Sequence, residues 1–205
     1  MTAGRSWLAL CGLLGATSAM LLLDLPGQQL IPALRWQAQP GVQAHPWTLW
    51  TSSLVHLSLA HGAANLLALG AVALLGHGLR AGRAQCLALL LAWPLHCLAL
   101  ARWPGGVNYS GLSGLLHAAV AVLASFIAIN FIVNKVSAAD KAMGLLLSSG
   151  LLLKLAHERG WSQAVVFSPE WGFNVVQAAH LSGALVGATC GLLCALLNLA
   201  YQRRA

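Results

Sequence analysis

The chain has 205 residues, of which 59% are hydrophobic and only 7% are charged, and its formal net charge is +7. Soluble domains carry about 25% charged residues, so this composition excludes a soluble globule and predicts an apolar surface covered by lipid. The basic residues are scattered and form no basic–aromatic groove, so we expect no nucleic-acid partner. The five cysteines lie in apolar runs without a Cys-x-x-Cys pair, which is typical of packed thiols rather than of a disulfide framework.

Six apolar runs approach the length of about 20 residues that a membrane-spanning helix needs. They predict an all-α membrane protein with a single domain over residues 1–205. The predicted spans cover residues 7–25, 54–75, 84–101, 112–133, 142–157 and 175–201. The first run follows Arg5 but exceeds the roughly 7–15 apolar residues of a signal peptide, so we expect a retained span. The fifth run is short and ends near Lys154.

The charge of the connections predicts the orientation of these spans, because cytoplasmic loops carry an excess of lysine and arginine. With the N-terminus inside, seven basic residues lie on the inner side and four on the outer side. The inner set is Arg5, Arg80, Arg83, Lys135, Lys141, Arg203 and Arg204, and the outer set is Arg35, Arg102, Lys154 and Arg159. We therefore expect both termini in the cytoplasm. The outer connections, 26–50 and 158–174, are the longer ones, which favours either a lid or a simple linking role.

The spans contain almost no carboxylate, and this limits the chemistry they can perform. An aspartyl-type intramembrane protease needs paired aspartates, and a zinc protease of the common type needs His-Glu-x-x-His, which this sequence lacks. Ionisable residues inside a membrane are functional candidates by default. Serine, histidine and asparagine are the remaining candidates.

Ser113 opens the fourth predicted span within the sequence Gly111-Leu112-Ser113-Gly114. Gly111 suits a tight entry into the helix, and Gly114 leaves space beside the hydroxyl. The first N–H groups of a helix lack intrahelical acceptors and can hold an oxyanion. The pattern predicts a nucleophilic serine, and the alternative is a serine that only caps the helix.

His180 begins the last predicted span and is followed by Gly183, Gly187 and Gly191. At about 100° per residue, the three glycines lie near the His180 face of the helix. Such a stripe lets another helix approach closely, so it predicts that His180 is held against a neighbouring helix. The alternative is that the stripe serves packing alone.

Two further histidines and an asparagine could take part in the same chemistry. His61 and Asn65 lie four residues apart on one face of the second predicted span. Both can donate hydrogen bonds to a developing negative charge, and the alternative is a polar contact between helices. A nucleophilic serine needs a base to take its proton, and His180 is the candidate with the glycine-lined surroundings. His117 follows Ser113 by four residues, could reach it, and is the rival candidate.

Together and in this order, these segments resemble the rhomboid family of intramembrane serine proteases. The resemblance covers the chain from about Trp47 to Gly191 and depends on three motifs. They are His56-Leu57-Ser58-Leu59-Ala60-His61-Gly62-Ala63-Ala64-Asn65, Gly111-Leu112-Ser113-Gly114, and Ala179-His180 with Gly183 and Gly187.

The resemblance implies a six-helix bundle in the bacterial inner membrane that needs no metal or organic cofactor. It implies that Ser113 is the nucleophile and His180 the general base, with no third carboxylate. It implies an oxyanion hole formed by the side chains of His61 and Asn65 and the Ser113 backbone N–H. The residues in supporting positions are Gly111, Gly114, His117, Gly183 and Gly187. The fifth span and the loop after it resemble the family's lateral gate and cap.

Two departures from the family pattern are visible. Trp47-Thr48 stands where the first outer loop often carries Trp-Arg, and His117 stands where bacterial rhomboids often place a tyrosine. The sequence Gly-Leu-Ser-Gly followed by Leu-Leu-His is similar to the rhombosortase branch. That similarity implies membrane-anchored protein substrates with a C-terminal tail of Gly-Gly, a span and a basic cluster.

Two other functions remain open from the sequence. A rhomboid-like protein without catalysis would keep the fold as a binding protein, although Ser113 and His180 are both present. A haem-binding electron carrier would use facing histidines such as His61 and His180, but the sequence offers no paired set for two haems.

Overall fold

A computed structural model describes residues 4–23, 30–39, 45–133 and 136–204. The elements in chain order are α1 (Arg5–Leu22), α2 (Ile31–Leu34), α3 (Thr48–Thr51), α4 (Leu59–Gly78), α5 (Arg83–Leu100), α6 (Ser113–Val133), α7 (Ala138–Glu158), β1 (Val166–Ser168), β2 (Phe173–Val175) and α8 (Gln177–Gln202). The prediction of a mostly helical chain is confirmed. The hairpin of β1 and β2 lies in a connection for which the sequence predicts no strand.

Among the described residues, five helices are long and apolar enough to cross a membrane: α1, α4, α5, α6 and α8. Length and apolar composition therefore support a multi-pass membrane protein. α7 has 21 residues, but every 18-residue stretch of it holds three of the charged residues Asp140, Lys141, Lys154 and Glu158. The sixth span and the cytoplasmic position of the termini stay predictions.

The largest difference between a helix and its predicted span is at α4, which begins at Leu59 instead of residue 54. Ser58 caps the helix, because its Oγ accepts a hydrogen bond from the His61 N–H at 3.2 Å. α8 begins at Gln177 rather than at residue 175, which belongs to β2. Residues 24 and 25 of the first predicted span, and Lys135 of the inner charges, lie outside the described residues.

α6 is the most buried of the long helices and packs most extensively against α8. A Cβ added to Gly187 would lie 2.5 Å from the Cα of Ala118, and one added to Gly183 would overlap the carbonyl oxygen of Gly114. Neither position can accept a side chain unless the two backbones separate. The close helix contact predicted from the glycine stripe is therefore confirmed, and α6 is the partner.

The two ends of the bundle differ in charge. One end brings the start of α1, the α4–α5 connection and the last turns of α6 and α8 around a polar pocket lined by Arg80 and Arg83. The opposite end brings together the starts of α4, α6 and α8 with the last turn of α7. The candidate functional residues lie at this second end.

The hairpin of β1 and β2 connects α7 to α8 at the same end. Its strands pair antiparallel with Phe167 opposite Asn174. Gly172 in the turn has a φ of 73°, a conformation that glycine adopts without steric cost. The hairpin consequently places Trp171 and Phe173 beside His61, with ring centroids 5.8 Å and 5.1 Å away.

Candidate active site

A cavity of about 530 Å³ lies where the ends of four helices and the hairpin meet. Its lining includes ionisable and polar side chains from α4 (His61, Asn65), α6 (Ser113, His117), α7 (Lys154, Glu158) and α8 (His180). The structure thus brings together every side chain that the sequence predicts for the nucleophile, the base and the oxyanion hole. It adds Lys154 and Glu158 of α7, for which the sequence predicts no role in the site.

Ser113 is the first residue of α6 and is partly exposed to the cavity. Gly111 makes the turn into this helix with a φ of 118°. A Cβ on Gly111 would lie 2.7 Å from Cε1 of His61, so both its conformation and the lack of space require glycine. The Tyr109 hydroxyl donates a hydrogen bond to the Gly111 carbonyl and thereby stabilises the turn.

The backbone amides on either side of Ser113 already have acceptors. The Leu112 N–H donates to Nε2 of His56 at 3.4 Å, and the Gly114 N–H donates to the Tyr109 hydroxyl at 3.0 Å. The Ser113 N–H, as the first amide of the helix, has no acceptor within α6. This amide is therefore the donor available to a ligand at the serine.

His56 is buried and stabilises the turn before α6 by accepting the Leu112 N–H. The structure places His56 before α4 rather than on the helix. Its Nδ1 lies 3.4 Å from the Ser18 hydroxyl. Burial, together with the proximity of His61, lowers the pKa of His56 to about 3. His56 is therefore neutral at physiological pH and keeps the lone pair that accepts the Leu112 amide.

His180 is buried in the first turn of α8 and is paired with a carboxylate. Its Nδ1 lies 2.7 Å from Oε2 of Glu158, the last residue of α7. Oε1 of the same carboxylate lies 2.8 Å from the Lys154 ammonium one turn earlier. The resemblance implied a histidine without a third carboxylate, and the structure differs on this point.

The connection after α7 explains how Glu158 reaches His180. Arg159 ends the helix with a left-handed φ of 53°, and its N–H donates to the Leu155 carbonyl at 2.9 Å. Gly160 then presses against the start of α8, where an added Cβ would lie 2.6 Å from the Gln177 carbonyl oxygen. The last turn of α7 is therefore held against the first turn of α8.

The helices that carry Ser113 and His180 touch beside these two residues. A Cβ on Gly114 would lie 3.0 Å from the Ala179 carbonyl oxygen. Since Gly114 follows Ser113 and Ala179 precedes His180, the two side chains start from adjacent backbones and open into one cavity. Gly114, Gly183 and Gly187 support the site through this close packing.

His117 stacks on His180. The two imidazole rings are 4.3 Å apart between centroids and 9° from parallel. Nδ1 of His117 lies 2.7 Å from the Ser113 carbonyl oxygen one turn earlier, so it is the donor of that hydrogen bond. This contact fixes the ring of His117 as a flat surface against which the ring of His180 packs.

His61 and Asn65 present hydrogen-bonding atoms without partners. Nδ1 of His61 and Nδ2 of Asn65 are buried and have no hydrogen-bond partner among the described residues. Buried polar groups are nearly always paired, so unpaired ones that line a cavity point to a bound group. The neighbouring Gly111 would bring an added Cβ to 3.6 Å from the Asn65 Nδ2.

Three side chains of the site also form a possible metal-binding group. Ligand atoms of His117, Glu158 and His180 all lie within 4.8 Å of one another. However, Glu158 already binds the Lys154 ammonium and His180. A metal ion would have to compete with the Lys154 ammonium for the same carboxylate. The three side chains therefore suit a hydrogen bond between His180 and Glu158 better than a metal ion.

Sequence reasoning misses Glu158, Tyr109 and the aromatic residues of the hairpin. The chain has only four acidic residues, and one at the end of an apolar helix is a signal for Glu158. The spacing of Lys154 and Glu158, four residues apart, is a second signal, because it places both on one helix face. Neither signal identifies His180 as the partner, which lies 22 residues away.

No family model and no curated protein matches this chain.

Proposed function

We propose that this protein is a rhomboid-type intramembrane serine endopeptidase that cleaves membrane-anchored proteins near the outer face of the bacterial inner membrane. One observation carries the proposal: Ser113, His180, His61 and Asn65 line a single cavity at one end of an apolar bundle, and a side-chain nitrogen of His61 and of Asn65 has no hydrogen-bond partner among the described residues. A hydroxyl, an imidazole and free donors in one cavity are the components that acyl transfer requires.

In the proposed reaction, the Ser113 hydroxyl attacks the scissile carbonyl while His180 takes its proton. His61, Asn65 and the Ser113 N–H donate hydrogen bonds to the oxyanion of the tetrahedral intermediate. His180 then gives the proton to the leaving amine. A water molecule, activated by the same histidine, hydrolyses the acyl-enzyme and restores the serine.

The apolar part of the cavity lining supports entry of a substrate from the side. It includes Ala64 and Ala68 on α4 and Leu147 and Leu151 on α7. An apolar slot between two helices suits a transmembrane segment that unwinds as it enters. We propose that α7 is the sixth span and borders this entrance, and that the hairpin covers the site from the aqueous side.

The sequence around the serine favours the rhombosortase branch. Residues 111–117 read Gly-Leu-Ser-Gly-Leu-Leu-His, and His117 is the residue that stacks on His180. The proposed substrates are proteins whose C-terminal tail consists of Gly-Gly, a membrane span and a basic cluster.

Co-expression with such a substrate tests the proposal. The wild-type chain is expected to shorten the substrate in membranes, and Ser113→Ala is expected to accumulate normally without cleaving it. Ser110→Ala is the matched control, because Ser110 lines the same cavity and is expected to leave cleavage intact. Cleavage by Ser113→Ala at the wild-type rate would rule out the serine mechanism.

A further inference from the structure

Glu158 is a buried carboxylate whose two oxygens both have cationic or N–H partners. Its side chain is 8% exposed, while Lys154, which binds Oε1, is 53% exposed. The other oxygen, Oε2, faces Nδ1 of His180 at 2.7 Å. A buried carboxylate with an ammonium group and an N–H donor at hydrogen-bond distance is stabilised in its ionised form.

The ionised Glu158 determines which nitrogen of His180 carries the proton. A carboxylate is only an acceptor, so Nδ1 of His180 must be protonated to form the 2.7 Å hydrogen bond. In the neutral ring this leaves Nε2 with the lone pair that a general base needs. The opposite tautomer would place two acceptors face to face and leave no base for Ser113.

We propose that Glu158 is a positioning residue for His180, and that it forms with Ser113 and His180 a three-residue hydrolytic site in which Lys154 binds the other oxygen of the carboxylate. This inference rests on the proposed function. In the reaction, Ser113 passes one proton to Nε2 of His180, and the resulting imidazolium is stabilised by the Glu158 carboxylate, which does not take the proton itself. The same proton later leaves on the amine product.

The charged and titratable groups around the pair come from every helix packed there. Lys154 of α7 opposes a positive charge on His180, and Glu158 favours it. His117 of α6 stacks on the ring of His180, and His61 of α4 shares the cavity with it. Among the described residues, Glu158 is the acidic side chain that lines this cavity.

The competing explanation is an ion pair that only holds α7 against α8. The two explanations predict a different pH dependence of the activity. If Glu158 stabilises the imidazolium, its removal makes His180 lose its proton more easily. The midpoint of the pH profile, at which His180 loses its proton and the activity rises, then shifts to lower pH. Lys154 opposes the imidazolium charge and competes with it for the same carboxylate, so removal of Lys154 moves the midpoint to higher pH. If the ion pair is purely structural, its removal changes the thermal stability and leaves the midpoint of the pH profile unchanged.

The rate of fluorophosphonate labelling of the purified full-length chain, measured across a pH series, tests the inference. Glu158→Gln keeps the shape of the side chain and removes its charge. We expect it to lower the labelling rate by about 10²-fold to 10³-fold, less than the roughly 10⁴-fold loss for a triad aspartate changed to asparagine. We expect its midpoint to move to lower pH and that of Lys154→Gln to higher pH, with Glu158→Asp recovering part of the rate.

The outcomes separate this inference from the proposed function. Ser113-dependent labelling of the wild type, with an unchanged rate and midpoint in Glu158→Gln, overturns the inference alone. No Ser113-dependent labelling of the wild type overturns the proposed function and the inference with it. If Glu158→Gln does not accumulate, the exposed Lys154→Gln decides: a midpoint moved to higher pH supports the inference, and an unmoved one contradicts it.

Discussion

The two stacked histidines of the site have different partners, and this difference assigns their roles. Nδ1 of His180 faces the Glu158 carboxylate, whereas Nδ1 of His117 faces the Ser113 backbone carbonyl. A carbonyl can hold a ring in place but offers little stabilisation to a full positive charge. At the residue scale, we therefore assign proton transfer to His180 and ring support to His117.

Replacing each histidine tests this assignment. We expect His180→Ala to abolish cleavage of a membrane-anchored substrate, because His180 takes the serine proton in the proposed reaction. His117→Phe keeps a flat ring against His180 and is expected to retain most of the activity. A fully active His180→Ala, or an inactive but folded His117→Phe, would move the base to His117.

Asn65 allows a test of the oxyanion hole. Its buried Nδ2 has no partner among the described residues, so Asn65→Ala removes a donor without breaking a bond of the resting protein. Losing one oxyanion donor costs about 10²–10³-fold in kcat, with little change in KM. Asn174→Ala, in β2 at the edge of the same cavity, is the control and should cleave normally. Equal effects of the two substitutions would contradict the assigned role.

At the scale of elements, the contact of α6 with α8 sets the distance between the serine and the histidine. Both side chains lie in the first turn of their helix, and the glycines that follow His180 bring the two backbones together. A small separation of these helices would therefore move Ser113 away from His180. We therefore expect stability and the proposed activity to be coupled at this contact.

Gly187→Ala tests this coupling. The added methyl group would lie 2.5 Å from the Cα of Ala118, and backbone atoms cannot move aside as a flexible side chain can. Overpacking of this kind costs about 1–3 kcal/mol, so we expect a lower melting temperature in detergent together with reduced cleavage. Gly70→Ala on α4 is the control, because an added Cβ there meets open space. Unchanged stability of Gly187→Ala would contradict the close packing.

The elements also show how far the sequence allows prediction. Long apolar runs are sufficient to locate the five apolar helices, since each run is a local property of the chain. The glycines after His180 likewise predict a close helix contact. The start of α4 at Leu59 has a local cause, the Ser58 cap, which the apolar run itself does not reveal. The short hairpin is harder to predict, because its aromatic residues pack against the distant His61. Glu158 acquires its role only when α7 is placed against α8.

At the scale of the whole molecule, polar groups gather at the two ends of an apolar bundle. The site lies at one end, and the pocket lined by Arg80 and Arg83 lies at the other. Arginine-rich ends face the cytoplasm in membrane proteins. The proposed orientation therefore opens the site toward the outer face of the membrane, where its substrates would be cleaved.

Thiol labelling of intact cells tests this orientation. Glu170→Cys places a thiol in the exposed hairpin turn, and Gln202→Cys places one in the exposed last turn of α8. We expect a membrane-impermeant maleimide to label Glu170→Cys on intact cells and Gln202→Cys only after permeabilisation. The unaltered chain controls for its five native cysteines. The reverse pattern would invert the topology.

We propose that Ser113 is a nucleophile activated by His180, and mass spectrometry that locates the adduct of a fluorophosphonate is the decisive measurement. We expect one covalent phosphonyl group on Ser113 of the wild-type chain and none in His180→Ala. An adduct on another residue, or equal labelling of Ser113→Ala and the wild type, would contradict it.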